Sequence, residues 1–128
     1  MKKILLYLLL LIGFISFGQQ KSSVAINENN IAKKWVVKNI INPKLSEAER
    51  LENLSMLEGT KLIFNTDMSY TFEFVTELTG TWRLDKTSRK IHTKDRRGEN
   101  TWTVHSLKEN EIVLSRNDAI QKIVFVPE

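Results

Sequence analysis

The sequence predicts an all-β domain: an eight-stranded antiparallel up-and-down β-barrel with one short helix between the first and second strands. Three observations carry that prediction. From Thr60 onward apolar and polar residues alternate with the two-residue period of a half-buried strand, and seven runs show it, at 60–65, 69–78, 81–85, 89–94, 101–107, 111–116 and 119–126. The gaps hold turn formers: Thr66-Asp67, Thr79-Gly80, Lys86-Thr87-Ser88, Arg97-Gly98, Glu109-Asn110 and Asn117-Asp118. These gaps are too short for the crossover that parallel pairing needs, so successive strands pair antiparallel.

Taken in order, the chain opens with Lys2-Lys3, an apolar run from Ile4 to Phe17, and the small residues Ser16 and Gly18. That is the pattern of a secretory signal peptide at 1–18, cut after Gly18. The run is shorter than the ~20 apolar residues of a spanning helix, and an uncleaved inner-membrane anchor is the alternative. Residues 19–32, rich in Gln, Ser, Asn and Lys, read as a flexible lead-in to a barrel domain at 33–128. Trp35–Ile41 is a β-rich run that Asn42-Pro43 ends, because proline cannot continue a ladder. Ser46 and Glu49 have the spacing of a capping box, Leu51, Leu54 and Leu57 follow on one helical face, and Gly59 suits a stop. The helix is therefore placed at 46–57.

Side-chain parity sets the pairing, since a one-residue slip would turn every side chain over. Opposing Phe64 to Tyr70 also opposes Leu62 to Phe72 and Lys61 to Glu73. Leu78 against Trp82 sets Glu77 across from Arg83, Leu84 against Ile91 sets Asp85 beside Lys90, and Thr93 against Trp102 sets Ile91 beside Val104. Strands 1, 7 and 8 are apolar on both faces and need cover on both. With Trp35, Val37, Ile41, Ile112, Leu114, Ile123 and Phe125 inside, Val36, Ile40, Val113, Ile120, Val124 and Val126 face out. Closing strand 8 on strand 1 gathers them into one patch, over which the leucine stripe of helix 46–57 is expected to pack.

The run Leu62-Ile63-Phe64, Asn65-Thr66-Asp67, Ser69-Tyr70-Thr71-Phe72-Glu73-Phe74, Gly80-Thr81-Trp82 resembles the small lipocalin-like domain proteins exported by Gram-negative bacteria. Lipocalins place Gly-x-Trp on strand 1, where this chain reads Lys33-Lys34-Trp35, so only the Trp carries over. The resemblance spans residues 33–126. It implies a lipocalin-type barrel in the periplasm or outside the cell, holding a small hydrophobic ligand.

Composition narrows the chemistry. The 128 residues carry a net charge of +4 and no cysteine, which excludes disulfides, thiolate catalysis, zinc fingers, iron–sulfur clusters and a lipoprotein anchor. Signal cleavage removes Lys2 and Lys3 and leaves 17 basic against 15 acidic side chains, net +2. Arg83, Lys86, Arg89, Lys90, Lys94, Arg96 and Arg97 cluster at 83–97, a solvated face in an exported protein rather than a nucleic-acid patch. His92 and His105 lack a third ligand for a metal site. Glu73 and Glu77, four apart on a strand, stand about 13 Å apart, beyond glycosidase spacing. No cofactor, metal, membrane insertion or catalytic motif is expected, and the protein reads as a non-enzyme.

All eight aromatic residues of the mature chain fall on the inward parity: Trp35, Phe64, Tyr70, Phe72, Phe74, Trp82, Trp102 and Phe125. Rings of that size either fill an eight-stranded bore or leave a small apolar pocket at one end. The candidate ligand contacts are Tyr70, Phe72, Phe74, Trp82, Trp102 and Ser106, with Thr76, Thr93 and Gln121 as further inward polar groups. Two functions remain: a carrier for a small hydrophobic molecule, or a filled barrel that meets an envelope protein through its surface.

Overall fold

Eight strands, each hydrogen-bonded to the next and the last to the first, close into an antiparallel barrel in the computed structural model, which describes residues 23–128. The signal peptide expected at 1–18 lies outside the described residues. A four-residue helix α1 (Glu28–Ile31) leads into β1 (Lys34–Ile41), and α2 (Glu47–Leu57) separates β1 from β2 (Lys61–Phe64). There follow β3 (Ser69–Phe74), β4 (Thr76–Asp85), β5 (Lys90–Asp95), β6 (Gly98–Lys108), β7 (Glu111–Arg116) and β8 (Lys122–Pro127). Up-and-down order puts α2 and the β3–β4, β5–β6 and β7–β8 connections at one end, called here the helix end. Both termini of the described chain and the other connections lie at the opposite end.

Two hairpins have the expected register, with Phe64 opposite Tyr70 and Leu62 opposite Phe72 in one, and Leu84 opposite Ile91 and Asp85 opposite Lys90 in the other. Two differ. The β3–β4 turn is at Val75, not at Thr79-Gly80, so Phe72 opposes Leu78, and Glu73 opposes Glu77 as a direct cross-strand neighbour instead of standing about 13 Å away along one strand. Gly80 instead lies inside β4, where a β-carbon would stand 1.9 Å from the Lys94 carbonyl oxygen. The strands approach too closely there for any side chain, and a glycine needed for contact mimics a glycine needed for a turn. In the β5–β6 hairpin Ile91 opposes Trp102 and Thr93 opposes Asn100, a shift of two residues that leaves every side chain on its expected face.

Two irregularities change the faces themselves. The β1–β8 register shifts between Val37 and Asn39, and the β6–β7 register between Val104 and Ser106. One extra residue on a strand reverses the parity beyond it. Ile40 therefore turns inward and is 1% exposed, while Ile41 turns outward at 48%, the reverse of the expectation. Past His105 it is Leu107 that faces the core, and Ser106 pairs with outward Val113. Ser106 is therefore not an inward polar group.

The core cluster contains Trp35, Leu62, Phe64, Tyr70, Trp82, Ile91, Trp102, Val104, Leu107, Ile112, Leu114 and Phe125, joined by Ile31 from α1. Val24 and Ile26 pack against the same cluster, and the Val24 N–H donates to the Leu107 carbonyl. The second half of the expected lead-in thus lies against the barrel end opposite the helix. Trp35 Nε1 donates to the Ile31 carbonyl at 2.8 Å, and Lys33 Nζ donates to that of Glu109 at 2.7 Å.

The helix α2 begins with the expected capping box: Glu49 N–H donates to Ser46 Oγ at 3.2 Å and Ser46 N–H donates to Glu49 Oε1 at 3.0 Å. It touches β1, and Arg50 hydrogen-bonds Asn39 on the outer face, but it buries none of its own residues. Leu51 is 52% exposed and Leu54 and Leu57 are half-buried, so the leucine stripe packs less deeply than expected. Six of the eleven helical residues are polar or charged besides the leucines' neighbours Ala48 and Met56, and a polar anchor through Arg50 holds the element.

Candidate functional site

The inward rings sort by depth. Trp35, Phe64, Tyr70, Trp82, Trp102 and Phe125 are buried, whereas Phe72 is half-buried and Phe74, at the tip of β3, is 40% exposed. Strand alternation lines Tyr70, Phe72 and Phe74 up from the core to the helix end, and their neighbours continue the stack. Phe72 lies 6.3 Å from Phe74 and 6.2 Å from Trp102, and Trp102 meets Phe125 edge-on at 6.5 Å. Such separations suit offset or edge contacts between rings.

Of the six expected contacts, Phe72, Phe74 and Trp102 come together in this half of the barrel, while Tyr70, at the start of β3, stacks on Phe64 at 5.5 Å. Trp82 does not join them. It packs on Phe64 at 5.1 Å and donates its indole N–H to the Asn65 carbonyl at 2.9 Å, toward the opposite end. Ser106 stands outside the interior, beyond the bulge at His105. Thr76 is exposed beside the hairpin tip, and Gln121 accepts a hydrogen bond from Asn42 at 3.2 Å. Thr93 is buried, and its hydroxyl donates to the Asn100 carbonyl at 3.4 Å. Burial pushes the Tyr70 phenol up to about 12, against the opposing pull of the Thr93 hydroxyl and the Arg116 charge.

Arg116 was not expected here. It follows Ile112 and Leu114 on the inward parity of β7, and its guanidinium lies 5.4 Å from the Phe72 ring centre and 5.6 Å from that of Trp102. Arg116 also donates to Asn100 Oδ1 at 3.2 Å. A cation over ring faces is stabilised by their quadrupole. The signal was legible, since a charged residue sharing parity with two core residues at a strand end belongs to a barrel mouth.

Between the end of α2 and the β3–β4 hairpin runs a groove of about 520 Å³, lined by Met56, Glu58, Thr60, Glu73, Phe74 and Glu77 among others. The Thr60 backbone is fully engaged, its N–H to the Leu57 carbonyl at 3.0 Å and its carbonyl to the Val37 N–H at 3.1 Å. Its hydroxyl is not: Thr60 Oγ1 and Trp102 Nε1 are buried without a hydrogen-bond partner. An unpartnered buried polar group costs roughly 1–3 kcal/mol, so each calls for an explanation.

The two histidines lie apart from this end. His92 bonds Thr101 at 3.3 Å and His105 bonds Ser115 at 2.8 Å. Partial burial, with Lys122 nearby, holds the His105 imidazole below its usual value.

No family model and no curated protein matches the chain. Among solved structures it is similar to a DUF4847 family protein from Bacteroides vulgatus, with a TM-score of 0.52 and 14% sequence identity over 74% of this chain and 92% of that one. At that identity the likeness is one of fold. The chain is an all-β closed barrel that shares its fold with that protein.

Proposed function

We propose that this protein is an exported, non-catalytic, lipocalin-like barrel that binds a small hydrophobic molecule at its helix end. The up-and-down closure and the N-terminal Trp on β1 support the lipocalin-like reading. The observation that carries the ligand reading is the pair Phe72 and Phe74, which rise from a buried stack and stay partly exposed beside a groove of about 520 Å³. Small-molecule sites are commonly apolar concavities of roughly 300–1,000 Å³ with a few polar groups. Below Phe72 the bore is filled by Tyr70, Trp102, Leu62 and Phe125, so the ligand lies at the mouth and not along the axis.

That filled bore equally supports a second reading, a barrel that meets an envelope protein through its surface. Of its surfaces, the 83–97 region is the strongest in charge: Arg83, Arg89, Lys90, Lys94, Arg96 and Arg97 form no ion pair with a described residue. Native mass spectrometry of the purified protein, with a tryptophan-quenching titration by a short-chain alkyl probe, separates the two. A co-purified small molecule or saturable one-to-one quenching weakened by Phe74→Ala supports the mouth site. A ligand-free protein with no saturable quenching leaves only the surface reading.

A further inference from the structure

We propose that the ligand of the helix-end mouth carries a carboxylate, held by Arg116 and the Trp102 indole N–H, while its short apolar body lies along Phe72 and Phe74. The proposal deepens the reading of this end as a ligand site and rests on it.

The first observation is an unpaired charge on the inward face. Arg116 and Trp102 are direct cross-strand partners on β7 and β6, and the guanidinium lies over the inward rings of Phe72 and Trp102. Arg116 is exposed at the mouth and forms no ion pair with a described residue. The hydrogen bond it makes, at 3.2 Å, goes to the neutral amide oxygen of Asn100. A guanidinium held by an amide and two ring faces gains by exchanging that amide for a carboxylate, which matches its fork with two parallel bonds.

The second observation is independent of charge. Trp102 is 1% exposed, and its indole nitrogen, a donor only, has no acceptor. The other two tryptophans are satisfied, Trp35 by the Ile31 carbonyl and Trp82 by the Asn65 carbonyl. The Tyr70 phenol belongs to the same cluster, because the Thr93 and Trp102 donors and the Arg116 charge all act on it. Donors and a cation that converge on one place suit an acceptor-only group, whereas an ammonium would leave the indole unpaired. Asp95 is the opposing charge on that phenol, and its Oδ1 is already taken by the Arg97 N–H at 2.7 Å. The guanidinium covers the Trp102 ring at 5.6 Å, so an arriving carboxylate meets Arg116 first and the indole as Arg116 turns off the ring.

The third observation orients the ligand. Phe72 lies 5.4 Å from the guanidinium and 6.3 Å from Phe74, which is 40% exposed, so a short chain leaving Arg116 crosses two rings to reach the groove. Glu73 and Glu77 stand on the outer face of the β3–β4 hairpin along that groove, and their charge keeps an anionic head from turning outward.

Calorimetric titration of octanoate, octanol and octylamine, with the tryptophan indole N–H signals followed by NMR, tests this. Octanoate is expected to bind at least about fivefold tighter than octanol, as a partly exposed ion pair would give, and to weaken as salt is added. It should move the Trp102 indole signal and leave those of Trp35 and Trp82, whose acceptors are backbone carbonyls. Arg116→Gln keeps a donor for Asn100, so its melting temperature should match the parent while octanoate falls to the octanol level. Arg116→Lys, which keeps the charge, should retain part of the preference. If octanoate binds no tighter than octanol and ignores Arg116→Gln, the carboxylate is overturned and the hydrophobic-ligand reading stands. A preference that survives Arg116→Gln, or that leaves the Trp102 signal unmoved, puts the head group elsewhere and overturns it too, as does octylamine binding best. If none binds, both readings fall.

Discussion

A β-carbon added at position 80 would lie 1.9 Å from the Lys94 carbonyl oxygen, and backbone cannot move aside as a flexible side chain can. Gly80→Ala is therefore expected to force β4 from β5 and to cost about 1–3 kcal/mol, the usual range for overpacking. Urea denaturation would show it as a lower midpoint with an unchanged slope. Equal stability would mean that the two strands separate freely. Tyr70 gives a second test at this scale. Its phenol is buried, and the ionised form is disfavoured enough to raise its pKa from 10.0 to about 12. Stability from this group is fully present below pH 10 and is lost as pH rises through 10 to 12, on the order of 2 kcal/mol in all. The alkaline limb of a stability–pH curve should flatten in Tyr70→Phe. An identical limb in the variant would assign the loss to other groups.

At the scale of elements, parity could be read from the sequence and bulges could not. The alternation of Tyr70, Phe72 and Phe74 or of Ile112 and Leu114 follows from a two-residue period. The register shifts after Val37 and Val104 each leave one residue, Lys38 or His105, without a partner on the facing strand. No change in the local apolar pattern announces either extra residue. Hence alternation alone puts Ile41 and Ser106 inside and Ile40 outside, the reverse of where they lie. The same limit explains the candidate site: its rings could be read, but the groove arises from the approach of α2 to the β3–β4 tip. The capping box, by contrast, is local chemistry and appears as expected. Because α2 buries no residue, its cap should matter only to α2 itself. Ser46→Ala is expected to remove about 1 kcal/mol from the helix. Hydrogen exchange should speed up at Glu49 and Arg50, with the melting temperature of the barrel unchanged. A matching fall in the melting temperature would show that α2 folds as one unit with the sheet.

At the scale of the whole barrel, closure leaves no free strand edge among the described residues, and its two ends are treated differently. One end is sealed by residues 23–33: Ile31 is fully buried, its carbonyl accepts the Trp35 indole N–H, and Val24 hydrogen-bonds Leu107. The helix end is left apolar and open. Among the described residues, Ile41, Leu51, Met56, Phe74, Val75 and Ile120 are exposed large hydrophobics on elements or connections at that end, against Met68 at the other. Exposed apolar residues are costly in water, and this end of the barrel carries most of that cost. The asymmetry also says which end can be altered without loss of the fold. Ile31→Ala opens a cavity beneath Trp35 in the sealed end and is expected to cost about 2–5 kcal/mol in global stability, with alkyl-probe binding unchanged. Phe74→Ala removes a ring that is 40% exposed, so it should cost far less stability while weakening the probe. The pair of variants, measured together by urea denaturation and probe titration, dissociates folding from binding. If Ile31→Ala weakened the probe as much as Phe74→Ala does, the two ends would be one coupled core, and the division of the barrel into a sealed half and a binding half would fail.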